Sequence, residues 1–227
     1  LIDVFLADSG CFFFVLFSQL RFSVNLGIIE RPLVQGLVWG LITGDLQTAI
    51  SISLVFELLW LDLISAGTFL PPNMAASNFA AMALASMFGL DAAGEVVYPI
   101  ILALPLGFFG ARLEQFRRRL QNTEYNQLLV WTKKSNAMAY DPGKLIAGTM
   151  IRAALLDLGF FILSFTVLFA VLWLLLNRGL APYAHSIAFG HLWISAALGG
   201  VLALRTPKAF AVAVIGGVCI LAFAGLS

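Results

Sequence analysis

The residues best placed to do chemistry in this chain lie in one stretch, FELLWLDLISAGTFLPPNMAASN at 56–78. Two carboxylates, Glu57 and Asp62, and one indole, Trp60, stand in an apolar run that ends at Pro71-Pro72-Asn73. A carboxylate in such surroundings is protonated, paired with a cation from elsewhere, or held by hydrogen bonds from a polar ligand. Sugar hydroxyls are donors of that kind, and an aromatic ring suits the C–H face of a sugar. On a continuous helix Trp60 lies about 60° round from Glu57, and Asp62 about 140° round. The spacing therefore groups Glu57 with Trp60 and turns Asp62 toward an interface. The two prolines end any helix, and the helix that follows starts with free N–H groups that Asn73 or Ser77 can cap or a ligand oxygen can occupy.

Each of these residues also has a structural reading. Glu57 can serve as one end of a buried hydrogen bond, Trp60 as a packing or interface aromatic, and Asn73 as a helix cap alone. Asp45 follows Gly44 where an acid can cap the next helix, and Arg31 before Pro32 can snorkel to a membrane surface. Asp45, Arg31 and Asp62 are thus candidates for structural or gating roles.

The elements that must position these groups are set by the composition. Of 227 residues 61% are hydrophobic and 11% charged, and the mean hydropathy is +0.96. These values lie far from soluble averages and predict an integral membrane protein. Residues 158–177 form a charge-free run of 20, and 209–227 one of 19. Each suffices, as a helix, to cross a hydrocarbon core of about 30 Å. Residues 179–204 also lack charge, but Gly179, Pro182, Gly190, Gly199 and Gly200 interrupt them, which predicts a broken or re-entrant segment as much as a plain span. The stretches 4–20, 32–44, 46–61 and 74–90 are each short or Gly/Pro-interrupted, the pattern of a transporter core built from broken helices. Backbone opened at membrane depth is tolerated where it lines a cavity or is buried in protein. The expected fold is all-α, a polytopic transmembrane helical protein with broken or re-entrant hairpins.

Between Arg31 and Arg112 lie 80 residues with no Lys or Arg and five acids, Asp45, Glu57, Asp62, Asp91 and Glu95. Basic residues gather at 112–152, where Arg112, Arg117, Arg118, Arg119, Lys133, Lys134, Lys144 and Arg152 outnumber Glu114, Glu124 and Asp141. The positive-inside rule makes this the main cytoplasmic segment, and its spacing predicts one or two amphipathic helices on the inner face, with a turn at Asp141-Pro142-Gly143. Three parts follow: 1–111, an N-terminal transmembrane part with a Pro-broken hairpin; 112–157, the basic segment; and 158–227, a C-terminal transmembrane part. In a chain this apolar the basic segment is read as facing lipid and water, without nucleic acid as a partner.

His185 and His191 are six apart, about 120° from one another on a helix, and so do not form the i, i+4 face of a metal pair. A proton-relay role for either stays open. Cys11 and Cys219 lie in apolar runs and imply neither a disulfide framework nor a metal. The chain begins at Leu1 with neither Met nor a basic flank, which predicts further residues ahead of it and no signal peptide to remove. The sequence contains no phosphate-cradling Gly loop, nucleophile elbow or zinc-ligand spacing, so covalent catalysis, metals and cofactors are not expected of it.

Residues 30–78 also carry a family resemblance. Arg31-Pro32, the spacing of Gly36 and Gly40, Gly44-Asp45, Glu57 with its apolar neighbours, and a Pro-rich break followed by small residues resemble the membrane component IIC of the mannose/fructose/sorbose family of the bacterial phosphotransferase system. The stretch 190–225, with its Gly pair and Arg205, fits more loosely. Asn73 stands where an Asp commonly follows the proline, and Glu30 where another polar residue precedes Arg-Pro. The resemblance implies a multi-pass subunit of the bacterial inner membrane that binds a hexose at the break, with Glu57, Asn73, Trp60 and Glu30 as sugar-binding residues. It implies a second membrane subunit, IID, as partner, soluble IIA and IIB units that deliver phosphate, and a homo-oligomer of the IIC/IID complex. The expected motion is alternating access or an elevator-like shift of the hairpin-bearing part. Two other readings of the residues remain: a membrane scaffold or regulatory subunit that does not transport, and a proton- or sodium-coupled carrier using a protonated Glu57.

Overall fold

The computed structural model describes residues 2–23, 28–61, 70–133, 142–179, 187–203 and 206–224. Every element among them is a helix: α1 (Ile2–Ser23), α2 (Pro32–Thr43), α3 (Leu46–Leu59), α4 (Met74–Phe88), α5 (Ala93–Lys133), α6 (Pro142–Asn177), α7 (Phe189–Ala203) and α8 (Pro207–Ala224). Asp62, His185 and Arg205 lie outside the described residues.

Local chemistry sets the ends of the short helices. Pro32 opens α2, where its missing N–H has no partner to lose. Gly44 closes α2 at φ +80°, donating its N–H to the Gly40 carbonyl at 2.9 Å. Asp45 then caps α3 by accepting from the Thr48 N–H at 3.1 Å, so α2 and α3 form a tight hairpin. Glycine is required inside it. A Cβ on Gly36 would fall 2.2 Å from Ser53 Oγ and 2.9 Å from the Ala49 carbonyl, and one on Gly40 2.7 Å from Leu46 Cα. At a rise of about 1.5 Å per residue, α2, α3, α4 and α7 span only about 18 to 23 Å each, less than a hydrocarbon core. They are broken segments of the kind that the interrupted runs predict, whereas the run 4–20 lies in one unbroken helix, α1, of 22 residues and about 33 Å.

α4 is the central post. Ala76 through Ala85 are buried without interruption, as in a helix enclosed on all sides. Its small residues let neighbours approach closely. α1 and α5 flank it on one side, with α6 behind them, and the α2–α3 hairpin lies on the other. Phe14, Trp39, Phe79 and Phe161 fill the spaces between and are almost fully buried. α7 packs outside α3, with α8 beyond it. Gly200 makes the α3–α7 contact close, since a Cβ there would lie 2.5 Å from the Leu58 carbonyl.

Among the described residues two segments, Ala93–Thr123 and Ala147–Asn177, are long and apolar enough to cross a membrane. Both belong to helices that run beyond them: α5 has 41 residues and passes through Pro99 and Pro105, and α6 has 36. The boundaries drawn at 111/112 and 157/158 therefore fall inside helices. In the structure residues 112–133 prolong α5 and residues 142–157 begin α6, so these parts of the basic segment are continuations of the long helices and not separate helices beside them.

Candidate functional site

The proline break sits well down the side of α5. The Asn73 N–H donates to the Gly107 carbonyl at 2.8 Å, and Gly107 lies about 21 Å along α5 from Ala93. Asn73 caps α4, its Oδ1 accepting from the Ala76 N–H at 3.2 Å. Close approach depends on two glycines: a Cβ on Gly110 would lie 2.7 Å from Asn73 Cβ, and one on Gly107 would lie 3.0 to 3.2 Å from Trp60, Ser77 and Pro72. The α5 glycines thus gather Trp60, Pro72, Asn73 and Ser77 around the break. Trp60 is buried and its ring stacks on Phe56 at 5.4 Å, so a packing contact already covers one face. Ser77 Oγ is fully buried and has no hydrogen-bond partner.

Glu57 is held from across the hairpin. Arg31, the residue before α2, donates from Nη1 to Glu57 Oε1 at 2.8 Å. The two sides of this pair differ: the Arg31 side chain is 54% exposed and that of Glu57 only 11%. The second oxygen, Glu57 Oε2, is buried and unpartnered. A buried acceptor without a donor is costly, and this one sits on a charged group whose other oxygen is occupied. Arg31 and Glu57, taken separately from sequence, are brought together at the open end of the hairpin.

Asp45 is at the opposite end, capping α3 at the hairpin tip and exposed, about 18 Å along α3 from Glu57. Glu30 lies in the turn before Arg31, and its carbonyl accepts from Gln35 Nε2 at 3.4 Å. His191 Nδ1 accepts from the Ala188 N–H at 3.0 Å, a local contact at the start of α7.

Two polar clusters escaped the sequence reading. In the first, Asn78 Nδ2 donates to the Pro32 carbonyl at 3.1 Å and to Gln35 Oε1 at 3.2 Å, while Asn78 Oδ1 accepts from Ser53 Oγ at 3.0 Å. Gln35, Ser53 and Asn78 are all essentially fully buried, and every polar atom of the Asn78 amide is used. This network ties both arms of the hairpin to α4. In the second, Arg117 Nη1 donates to both carboxylate oxygens of Asp157 at 2.8 and 2.6 Å, and Ser18 Oγ donates to Asp157 Oδ2 at 2.6 Å. It joins α5, α6 and α1 in a buried contact. The signal for both was available: Gln35, Asn78 and Asp157 are isolated polar residues in apolar runs, where lipid would not receive them.

A family model described as "PTS system sorbose-specific iic component" matches residues 10–174. That range takes in the hairpin, the break, α4, α5 and nearly all of α6. No curated protein matches the chain.

Proposed function

Because the chain belongs to the family of sorbose-specific IIC components of the phosphotransferase system, integral membrane components of sugar permeases, we propose that it binds a hexose between the α2–α3 hairpin and the break before α4. In this reading it moves the sugar across the bacterial inner membrane, as a multi-pass subunit, for phosphorylation by partners. The observation that carries the reading is Glu57: a buried carboxylate with one oxygen held by Arg31 and the other without a donor. A sugar hydroxyl supplies the missing proton. Ser77 Oγ, buried and unpartnered beside Trp60 and the break, offers a second polar contact. Asn73 offers amide N–H groups while its oxygen caps α4. Arg31, half in water, can release or retain Glu57 at small cost.

The chain's own residues bind and orient the sugar beside a second membrane subunit, IID, and the phosphoryl chemistry belongs to the soluble IIA and IIB units. The experiment is uptake of labelled mannose, fructose and sorbose by cells expressing this chain with and without those subunits. The expected result is phosphoenolpyruvate-dependent uptake of one sugar, only with all subunits present and lowered at sub-saturating sugar in Glu57→Gln. Uptake that follows a proton or sodium gradient and ignores phosphoenolpyruvate would establish the carrier reading instead. Uptake unchanged when this chain is omitted would leave it a scaffold.

A further inference from the structure

One carboxylate faces outward in the middle of the apolar belt. α1 runs antiparallel to α6: Ser18 bonds Asp157, and one turn away Phe14 stacks on Phe161 at 4.7 Å. The same register, extended six residues, brings Asp8 level with Val167. Val167 is at the centre of the charge-free run 158–177, so Asp8 lies about 15 Å from either end of that run. Asp8 is exposed and borders an open groove of about 570 Å³ between α1 and α6, walled by Cys11, Phe12, Ile162, Phe165 and Thr166. Phe12 is 60% exposed and Ile162 48%.

The polar groups of this groove are the Asp8 carboxylate, the Thr166 hydroxyl and the weakly donating Cys11 thiol, and the first two act as acceptors. Thr166 spends its proton on the Ile162 carbonyl at 2.8 Å and presents lone pairs outward. Asp8 has no donor among the described residues. A carboxylate there is either protonated or paired, and an occupant that pairs it must bring N–H donors, preferably cationic, to the middle of the hydrocarbon. A lipid tail has none, and its headgroup lies about 15 Å away. A second copy of this chain fits poorly, because its Lys, Arg and His stand near helix ends, in connecting segments or in the basic segment at 112–152. We infer that the α1–α6 groove docks a transmembrane helix of a different chain, carrying a Lys, Arg or His at mid-depth that pairs with Asp8. Intramembrane ions require such partners. Resting on the function proposed above, the inference assigns that helix to the IID subunit.

The test is photocrosslinking in membranes that co-express both subunits, with p-benzoylphenylalanine in place of Phe12, or of Val214 on α8 as a control. The expected result is an adduct to IID from position 12 and not from 214, mapping within two helical turns of a Lys, Arg or His. Asp8→Leu should lower adduct yield and copurification at least tenfold, whereas Asp8→Glu should retain both. Asp8 is exposed, so the purified Asp8→Leu chain should stay monodisperse, which separates lost docking from lost folding. Adducts only to lipid or to a second copy overturn the inference, as does an unchanged yield in Asp8→Leu. If the subunits copurify and transport but position 12 captures lipid, the surface alone is wrong. If they never associate, the partnership falls with it.

Discussion

Replacing Glu57 by Gln tests the proposed site with little change of shape. Without sugar the carboxylate holds one contact, Arg31 at 2.8 Å. Because Arg31 is 54% exposed, water screens the pair, and such pairs contribute about 0 to 1 kcal/mol. The substitution also removes the cost of a buried charge whose second oxygen has no donor. Stability should therefore change by about 1 kcal/mol or less. With sugar bound, Glu57 Oε2 gains a charge-assisted hydrogen bond of about 1.5 to 3 kcal/mol. Its loss should weaken sugar affinity about 10- to 100-fold. The measurement is equilibrium sugar binding in nanodiscs, with thermal unfolding of the same samples. Asp62→Asn, on the other face by sequence spacing, should stay within about threefold of wild type, roughly 0.6 kcal/mol. If Glu57→Gln binds sugar like wild type but unfolds at much lower temperature, Glu57 is a structural tie and the site is misassigned.

Four further outcomes are expected. Asn78→Leu preserves bulk but leaves Gln35 Oε1 without its donor and Ser53 Oγ with only the weak acceptor Met82 Sδ at 3.4 Å, so denaturation should show a loss of about 2 to 6 kcal/mol, given about 1 to 3 for each of these two buried groups. Gly110→Ala drives a methyl to 2.7 Å from Asn73 Cβ and should cost about 1 to 3 kcal/mol as well as sugar affinity, whereas Gly148→Ala, with open space around it, should do neither. Arg117→Met leaves Asp157 buried without its cation and should destabilise by about 3 to 5 kcal/mol, most of it recovered in Arg117→Met/Asp157→Leu. A cysteine at exposed Asn122, with Cys11 and Cys219 replaced, should react with an impermeant maleimide only from the cytoplasmic side; labelling from outside inverts the topology.

The short helices were legible because their punctuation is local. Pro32, Gly44-Asp45 and Pro71-Pro72-Asn73 are caps and breaks that act over one turn; α2 begins and ends at them, and α3 and α4 begin at them. The length of α5 was not legible from the same rules. Charge density changes at Arg112, and composition suggested a new element there, but backbone hydrogen bonding continues wherever no breaker intervenes; Ala111 to Lys133 contains neither Pro nor Gly. The pairing of Arg31 with Glu57 was invisible for another reason. They are 26 residues apart, and only the tight turn at Gly44 returns α3 to the start of α2. The Asn78 network has the same origin: its members come from three helices, and sequence spacing reports faces of one helix, not which faces meet.

Two of the ion pairs among the described residues, Arg117–Asp157 and Arg31–Glu57, differ in a way that bears on motion. Arg117 and Asp157 are 6% and 2% exposed and bonded through two contacts, with Ser18 as a third party. Losing one partner inside the protein leaves an unsolvated charge, so α1, α5 and α6 are held as a framework with no cheap alternative arrangement. Arg31 and Glu57 meet through a single contact with the cation half in water, where solvent replaces the partner at little cost. The hairpin is fastened to α4 by neutral hydrogen bonds through Asn78 and Trp39, and to its outer neighbour α7 by one neutral bond from Trp193 Nε1 to the Ser51 carbonyl at 3.3 Å beside the close glycine contact. A charge-assisted bond from a ligand to Glu57 is of the same order as the clasp that it would supplement or displace. On the proposed reading, a sugar bound at Glu57 acts on the half-exposed clasp and leaves the buried Arg117–Asp157 framework intact, and any movement of the hairpin relative to α4 must in addition exchange the Asn78 bonds.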